Sequence, residues 1–418
     1  MLRNEKIDRL RTSLRKTETR VVDFCIKHST IIICVIATLA AILIRYKLLR
    51  YESGDYTKAL LQWFETLKEG GGLPALANFP GDYNAPYVTI LALLTYLPIR
   101  ALYTVKAVSI FFDFALAISC AYLVYTLLKN QGKRKFWVAF TYIVVLFLPQ
   151  VLLNSAYWGQ CDSIFGCFCV LAITLLIKER YSWSFVCLGL AMAFKLQFIF
   201  ILPVFIIYYF VKRKFSILNF LLVPLVNFIL CLPAIIAGKP IADCLLIYAN
   251  QTQTFADHIS MNYINFYSIF NADPAYWNLV GSIFTIMLCG LVLFWILHHK
   301  VRLGAEQILL LTIWFSIVVP FFLPGMHERY LYVGEILSVV YYIRYRKYGY
   351  VALLTNVYAW VMYSQYFTGA TPFNYGWLAL IELAVIAFFT KQLITDNNYE
   401  PKKNQEVLQP TTAERELQ

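Results

Sequence analysis

From Ser29 to Lys391 the chain is a succession of apolar runs separated by short polar turns. A hydrocarbon core of about 30 Å takes about 20 apolar residues per helix. Runs of this kind, repeated through nearly the whole chain, leave room for about a dozen spanning helices and little extramembrane domain. Composition agrees: 60% of residues are hydrophobic, 14% are charged, and mean hydropathy is +0.61. Soluble domains carry about 45–50% apolar and about 25% charged residues. A soluble globular protein, a disordered chain and a disulfide scaffold are excluded. The fold class read from the sequence is all-α, a polytopic transmembrane helical protein.

Net charge is +12. The basic residues sit in short clusters between apolar runs, the pattern that sets membrane topology rather than nucleic-acid binding. The ten cysteines lie mostly inside apolar runs, as with Cys120, Cys167, Cys169, Cys187 and Cys231, and no Cys/His spacing suggests zinc. No metal site is expected from them.

The N-terminal segment, 1–28, is basic. Its first twenty residues hold seven Lys/Arg, with Leu2, Ile7, Leu10 and Leu14 near helical spacing. An interfacial helix on an anionic leaflet and a solvated tail both fit. Polar residues before the first run, with no small-residue cleavage site after it, exclude a cleavable signal. The polar segment 392–418, with Pro401 and Pro410, reads as a disordered tail.

Spans are expected at 29–45, 104–128, 136–153, 164–177, 182–194, 198–210, 216–236, 277–297, 305–323, 329–343, 349–364 and 375–390, twelve in all. With the N-terminus inside, Lys129/Lys133–Lys135, Lys178/Arg180, Lys212–Lys214, His298/Lys300/Arg302 and Arg344/Arg346/Lys347 all fall inside, as does the C-terminus. The agreement requires that Pro86–Leu102 be an outer-surface or re-entrant helix. It also requires two short helices meeting at Lys195, since an ammonium at the centre of one long helix costs about 2.5–3.5 kcal/mol or more. The outer face then receives 46–103, 154–163, 195–197, 237–276, 324–328 and 365–374.

Polar residues gather in those outer loops. Tyr51-Glu52-Ser53-Gly54-Asp55-Tyr56 precedes an amphipathic stretch through Trp63, Phe64 and Leu67, and Gly81-Asp82-Tyr83-Asn84-Ala85-Pro86-Tyr87 follows it. Asp55 is either a general base toward a hydroxyl or the N-cap of the 56–69 helix. In Trp158-Gly159-Gln160-Cys161-Asp162-Ser163, the Trp and Gln beside a carboxylate suit sugar recognition, and Asp162-Ser163 equally suits a helix cap. In Phe194-Lys195-Leu196-Gln197 the lysine needs an anion, either a phosphate or a carboxylate such as Asp162. In Met326-His327-Glu328-Arg329-Tyr330, Arg329 offers a planar donor fork for phosphate and His327 a further donor or acid; an interfacial Arg–Glu pair is the plain alternative. Asp113 reads as half of a structural ion pair.

These motifs resemble, in order over 51–330, the GT-C superfamily of membrane glycosyltransferases, and more narrowly bacterial mannosyltransferases related to the enzyme that adds the second mannose of GPI anchors. The resemblance implies a GT-C fold with surface helices in the first outer loop. It implies a catalytic module over 29–236, whose first outer loop is 46–103. A C-terminal module follows over 237–391, with outer loop 237–276 and the His-Glu-Arg-Tyr motif. The implied donor is a polyprenyl-phosphate sugar, the acceptor a glycan, glycolipid or protein, and the other partners membrane lipids, with no nucleic acid. Asp55 maps onto the family's catalytic acid, with Glu52 as rival. Asp82, Tyr83, Asn84, Trp158, Gln160, Asp162, Lys195, Gln197, His327, Glu328, Arg329 and Tyr330 fall at substrate and donor positions. Some relatives use Asp-x-Asp or Glu-x-Asp with a divalent metal; here the spacing is Glu52-x-x-Asp55, which leaves magnesium or manganese open. The motif forms look bacterial, placing the chain in a cytoplasmic membrane with its site on the outer face. The alternative reading is a multispan transporter or flippase of lipid-linked saccharides, which would show paired broken segments in two halves.

Overall fold

A computed structural model describes residues 2–128, 132–254, 257–370 and 373–395, with the side chains of 2–14 and 252–254 outside the description. The side chains of the N-terminal stripe of Leu2, Ile7, Leu10 and Leu14, Lys129, and the tail from residue 396 therefore lie outside the description; residues 392–395, expected in the disordered tail, instead continue the last helix, Tyr375–Thr395.

The protein is an all-α membrane protein. In order the α-helices are α1 Leu2–Lys27, α2 Ser29–Leu48, α3 Leu61–Glu69, α4 Ala85–Leu94, α5 Ala101–Leu127, α6 Arg134–Phe147, α7 Pro149–Leu152, α8 Asp162–Ile177 and α9 Tyr181–Phe194. They continue as α10 Leu202–Lys212, α11 Leu222–Ala237, α12 Ile241–Leu245, α13 Ile247–Thr254, α14 Pro274–His298, α15 Ala305–Phe322, α16 Tyr332–Tyr345, α17 Gly349–Thr368 and α18 Tyr375–Thr395. Two two-residue strands, β1 Ser260–Met261 and β2 Met326–His327, pair in parallel.

Twelve spans were expected, and each of those segments is helical. Among the described residues, six helices are long and apolar enough to cross a membrane, or seven if the pair Arg134–Phe147 and Pro149–Trp158, bent by 53°, is one span. Most of the shortfall is length; α17, long enough at 20 residues, is instead too polar, with Asn356, Ser364 and Gln365 in it. At 1.5 Å per residue, the 16 residues of α8 and the 14 of α9 run roughly 24 and 21 Å.

The 61–69 helix is amphipathic, burying Phe64 and Leu67. Of the two alternatives for the segment from Pro86, surface or re-entrant, α4 fits the second: seven of its ten residues are buried. Its Ala-Pro-Tyr-Val-Thr-Ile-Leu-Ala sequence has no polar face to turn to water, so it packs inward. Asn84 caps α4 through Oδ1 and donates from Nδ2 to the Ala193 carbonyl at 3.0 Å and to Asn227 Oδ1 at 2.8 Å.

Helix α9 stops at Phe194. Lys195 is extended, with φ −150° and ψ 142°, and a 3-10 turn, Leu196–Phe200, leads into α10. A second interruption faces it. The Pro149 kink starts a segment that ends in a π-turn, Leu153–Trp158, and another π-turn, Tyr56–Leu60, opens the helix of the first loop. Such π-turns widen the helix and concentrate at functional sites.

Candidate active site

The expected N-cap role of Asp55 falls to Ser53 instead. Ser53 Oγ accepts from the Tyr56 amide at 3.1 Å and donates to the Trp158 carbonyl at 2.5 Å, while Asp55 makes no capping bond. The Asp55 carboxylate is thereby left for three other donors. Trp158 Nε1 and Gln160 Nε2 donate to Oδ2 at 2.9 and 2.5 Å, and Tyr366 Oη donates to Oδ1 at 2.7 Å. Glu52, three residues earlier, is exposed and paired with Arg100. The two first-loop acids thus have different partners, Arg100 for Glu52 and three uncharged donors for Asp55. Among the described residues no group of three His, Cys, Asp or Glu side chains is placed to hold a metal.

The Trp-Gly-Gln segment reaches Asp55 because the π-turn closes on Gly159 in the left-handed region, φ +89°. A Cβ is strained there. Below it, Lys106 Nζ donates to the carbonyls of Tyr51 at 2.5 Å and Tyr157 at 2.9 Å, with Leu49 at 3.4 Å. This buried ammonium ties the strand that carries Asp55 to the strand that carries Trp158 and Gln160. Tyr51 and Tyr157 add a ring stack at 3.7 Å. Lys106 was not foreseen from sequence; a lysine in the second turn of an apolar helix was the available signal.

From Asp55 a hydrogen-bonded chain runs inward. Gln160 Oε1 accepts from Tyr83 Oη at 3.2 Å and from Lys195 Nζ at 3.5 Å. Burial pushes the Tyr83 phenol well above its usual range, so it keeps its proton and donates. Lys195 Nζ lies 2.5 Å from Asp162 Oδ1, and Asn154 Nδ2 donates to Asp162 Oδ2 at 2.7 Å. Asp162 thus holds the lysine and receives the Asn154 side chain.

Arg329 closes the other side. Its Nη1 donates to Glu328 Oε1 at 2.9 Å and its Nε lies 3.7 Å from Asp162 Oδ2. The guanidinium stands over the Trp158 ring at 5.4 Å. Trp158 is fully buried, with Tyr366 stacked on it at 3.9 Å. Its ring is occupied by protein on two sides, so it serves Asp55 as a donor rather than a sugar as a platform. The His327-Glu328-Arg329 segment is held by backbone bonds to the loop before it: Gly325 N to Ile259 O at 3.0 Å and Glu328 N to Met261 O at 3.1 Å. His327 Nδ1 lies 3.9 Å from Glu328 Oε2. Burial, with the Arg329 guanidinium, lowers its pKa from the usual histidine range and so favours the neutral imidazole.

A cavity of about 80 Å³ lies among Lys195, Gln197, Tyr248, His327, Arg329 and Tyr330. Two of its polar atoms, Arg329 Nε and Gln197 Oε1, are buried without a hydrogen-bond partner among the described residues. Leu196, Gln197, Gln251 and Tyr330 also line a second hollow of about 250 Å³, whose other walls include Phe200, Leu323 and Pro324. A polar anion-sized cavity thus opens into an apolar groove. Of the residues singled out from sequence, Asp55, Tyr83, Gln160, Asp162, Lys195, Gln197, His327, Glu328, Arg329 and Tyr330 meet here. Asp82 meets it only through its backbone, its carbonyl accepting from Gln251 and its side chain exposed. Asn84 lines the cavity, but its amide is spent on α9 and α11. Asn154, Tyr366 and Lys106 are the additions.

No protein-family model matches the chain, and no curated protein matches it.

Proposed function

We propose that the protein is an integral membrane glycosyltransferase. It moves a hexose of the mannose or glucose class from a polyprenyl-phosphate sugar to an extracytoplasmic acceptor, with inversion, in a bacterial cytoplasmic membrane. The twelve apolar segments cross in the alternation set by the basic clusters, the shorter helices packed within the bundle where the bilayer thins to meet them.

One observation carries the reading. A carboxylate with no cation on it, Asp55, is linked through Gln160 to a buried Lys195–Asp162–Arg329 cluster that borders a cavity with unpartnered polar atoms. A carboxylate has about four lone-pair sites. Three are taken on Asp55, two of them on Oδ2, which leaves the free one on Oδ1. There the acceptor hydroxyl gives its proton to Asp55. Its oxygen forms the new bond to the anomeric carbon, and the bond from that carbon to the phosphate oxygen breaks, the electron pair leaving with the phosphate. Lys195 Nζ and the Arg329 fork offset the charge that develops. One well-placed donor of this kind contributes about 2.7–4 kcal/mol. Neutral His327 contributes a hydrogen bond and no charge. The lipid chain takes the adjoining apolar groove.

The second reading is a flippase of lipid-linked saccharides. The breaks at Lys195 and Pro149 are of the kind transporters build their sites from, although both lie in the N-terminal half rather than as a pair across two halves. Proteoliposomes loaded with a labelled polyprenyl-phosphate hexose and an oligosaccharide acceptor separate the two. Label in the acceptor supports transfer. Lipid-linked label that changes leaflet without joining any acceptor supports the flippase and contradicts the enzyme.

A further inference from the structure

On the membrane face opposite the candidate site, α2, α5 and α6 enclose a second hollow, of about 970 Å³. Two ties bound it from above. Arg45 Nε on α2 donates to Asp113 Oδ2 on α5 at 2.8 Å, and Thr38 Oγ1 meets Tyr142 Oη on α6 at 2.8 Å. Below them, α2 has few protein neighbours: only 11% of its apolar window is buried. The walls there are apolar, with Ile31, Val35, Leu39, Ile118 and Val138 among them. From Lys27 to Leu39 the groove follows α2 for roughly 18 Å, at 1.5 Å per residue. That is close to one leaflet of hydrocarbon, about half of 30 Å.

The mouth is cationic. Lys27 and His28 stand at the start of α2, and Arg134 and Lys135 at the start of α6. No carboxylate is among the residues lining the groove. Arg134 is already fixed in place. Its Nε and Nη2 both donate to the Tyr125 carbonyl, at 3.0 and 2.6 Å, and its guanidinium sits 3.4 Å above the Tyr125 ring. Lys27 and Lys135 are exposed, and long basic side chains at a helix end can reach a headgroup layer.

We infer that this groove is a binding site for one anionic phospholipid. An acyl chain lies along α2 between α5 and α6, and the phosphodiester and its anionic headgroup rest among Lys27, Arg134 and Lys135. A zwitterionic lipid fits the apolar part equally well, but its ammonium meets only like charge at the mouth. The occupant is a structural lipid of the leaflet opposite the site, distinct from the substrate lipid, and it completes the packing that α2 lacks. The inference rests on the groove and its charge and is independent of the glycosyltransferase reading.

The test is native mass spectrometry of the full chain, released from mixed micelles holding equal amounts of phosphatidylglycerol and phosphatidylcholine. One phosphatidylglycerol is expected to be retained in preference. Lys27→Gln and Lys135→Gln are each expected to weaken the preference about fivefold, from the roughly 1 kcal/mol that a basic side chain contributes at an anionic surface. Val35→Trp fills the groove without changing charge and should remove the bound lipid while Arg45–Asp113 stays intact. Equal retention of the two lipids overturns the inference. So does an undiminished phosphatidylglycerol preference in the Lys27→Gln/Lys135→Gln pair or in Val35→Trp.

Discussion

Among the described residues two ionic clusters are buried, and they differ in how completely they are satisfied. In the first, Asp113 receives Arg45 Nε at 2.8 Å, Ser155 Oγ at 2.5 Å and Ser163 Oγ. Arg45 spends its remaining nitrogens on the carbonyls of Ala41 and Leu146, at 3.4 and 3.1 Å. In the second, Lys195, Asp162, Glu328 and Arg329 are also paired, yet Arg329 Nε and Gln197 Oε1 are left over and a cavity adjoins them. A closed cluster holds helices together. An open one keeps hydrogen-bonding capacity for something else: the Arg329 Nε donor, ion-paired to Asp162 but not hydrogen-bonded, and the Gln197 Oε1 acceptor. Intramembrane charge alone does not distinguish the two, because both occur in apolar surroundings; the polar atoms left without a hydrogen bond do.

The comparison breaks most visibly through stability. Arg45→Met leaves Asp113 buried without its cation and is expected to cost about 3–5 kcal/mol, read as a large fall in unfolding midpoint in detergent. Arg45→Met/Asp113→Leu should recover most of that loss. Arg329→Lys keeps the charge and loses the planar fork that reaches Glu328 and Asp162 together. Transfer should fall roughly tenfold to a hundredfold, about 1.4–2.7 kcal/mol, with a smaller midpoint shift than Arg45→Met. An unfolding profile as damaged as that of Arg45→Met would place Arg329 in the closed class.

Lys106→Met strands the carbonyls of Tyr51 and Tyr157, worth about 1–3 kcal/mol. Because these carbonyls set the spacing of Asp55 and Gln160, kcat should fall while KM for the donor lipid holds. An unchanged kcat would make Lys106 a packing residue only. The smallest effect belongs to His327. Burial and Arg329 lower its pKa from the usual histidine range, so any change in activity that its protonation causes should come at lower pH than for an ordinary histidine. His327→Gln should flatten that change.

Much of the architecture was legible. Apolar runs fixed where helices lie, and a lysine inside an apolar stretch, Lys195, marked a break that is there: α9 ends one residue before it. Span count was less legible, since hydropathy measures apolarity and not how long a helix continues before a Pro or an extended residue stops it. Charge alternation kept Pro86–Leu102 out of the spans but left open whether it lies on a surface or re-enters; the buried residues of α4 favour the second. At the site, acids and bases clustered within a motif were visible, and Asp55 was separable from Glu52 only by where each points. Tyr366 and Asn154 carry no local signal. They matter because α17 and the π-turn bring them to Asp55 and Asp162, and contacts spanning some 311 positions of sequence have no trace in local pattern. Lys106 bonds backbone, and backbone carbonyls leave no mark on sequence at all.

The central claim is that Asp55 is a base, held but not neutralised by its three donors. Asp55→Asn keeps the size of the side chain and removes its capacity to take a proton. In proteoliposomes supplied with polyprenyl-phosphate hexose and acceptor, transfer should drop by about 10²–10⁴-fold, with the unfolding midpoint close to that of the parent. Transfer by Asp55→Asn at the parent rate would contradict the account.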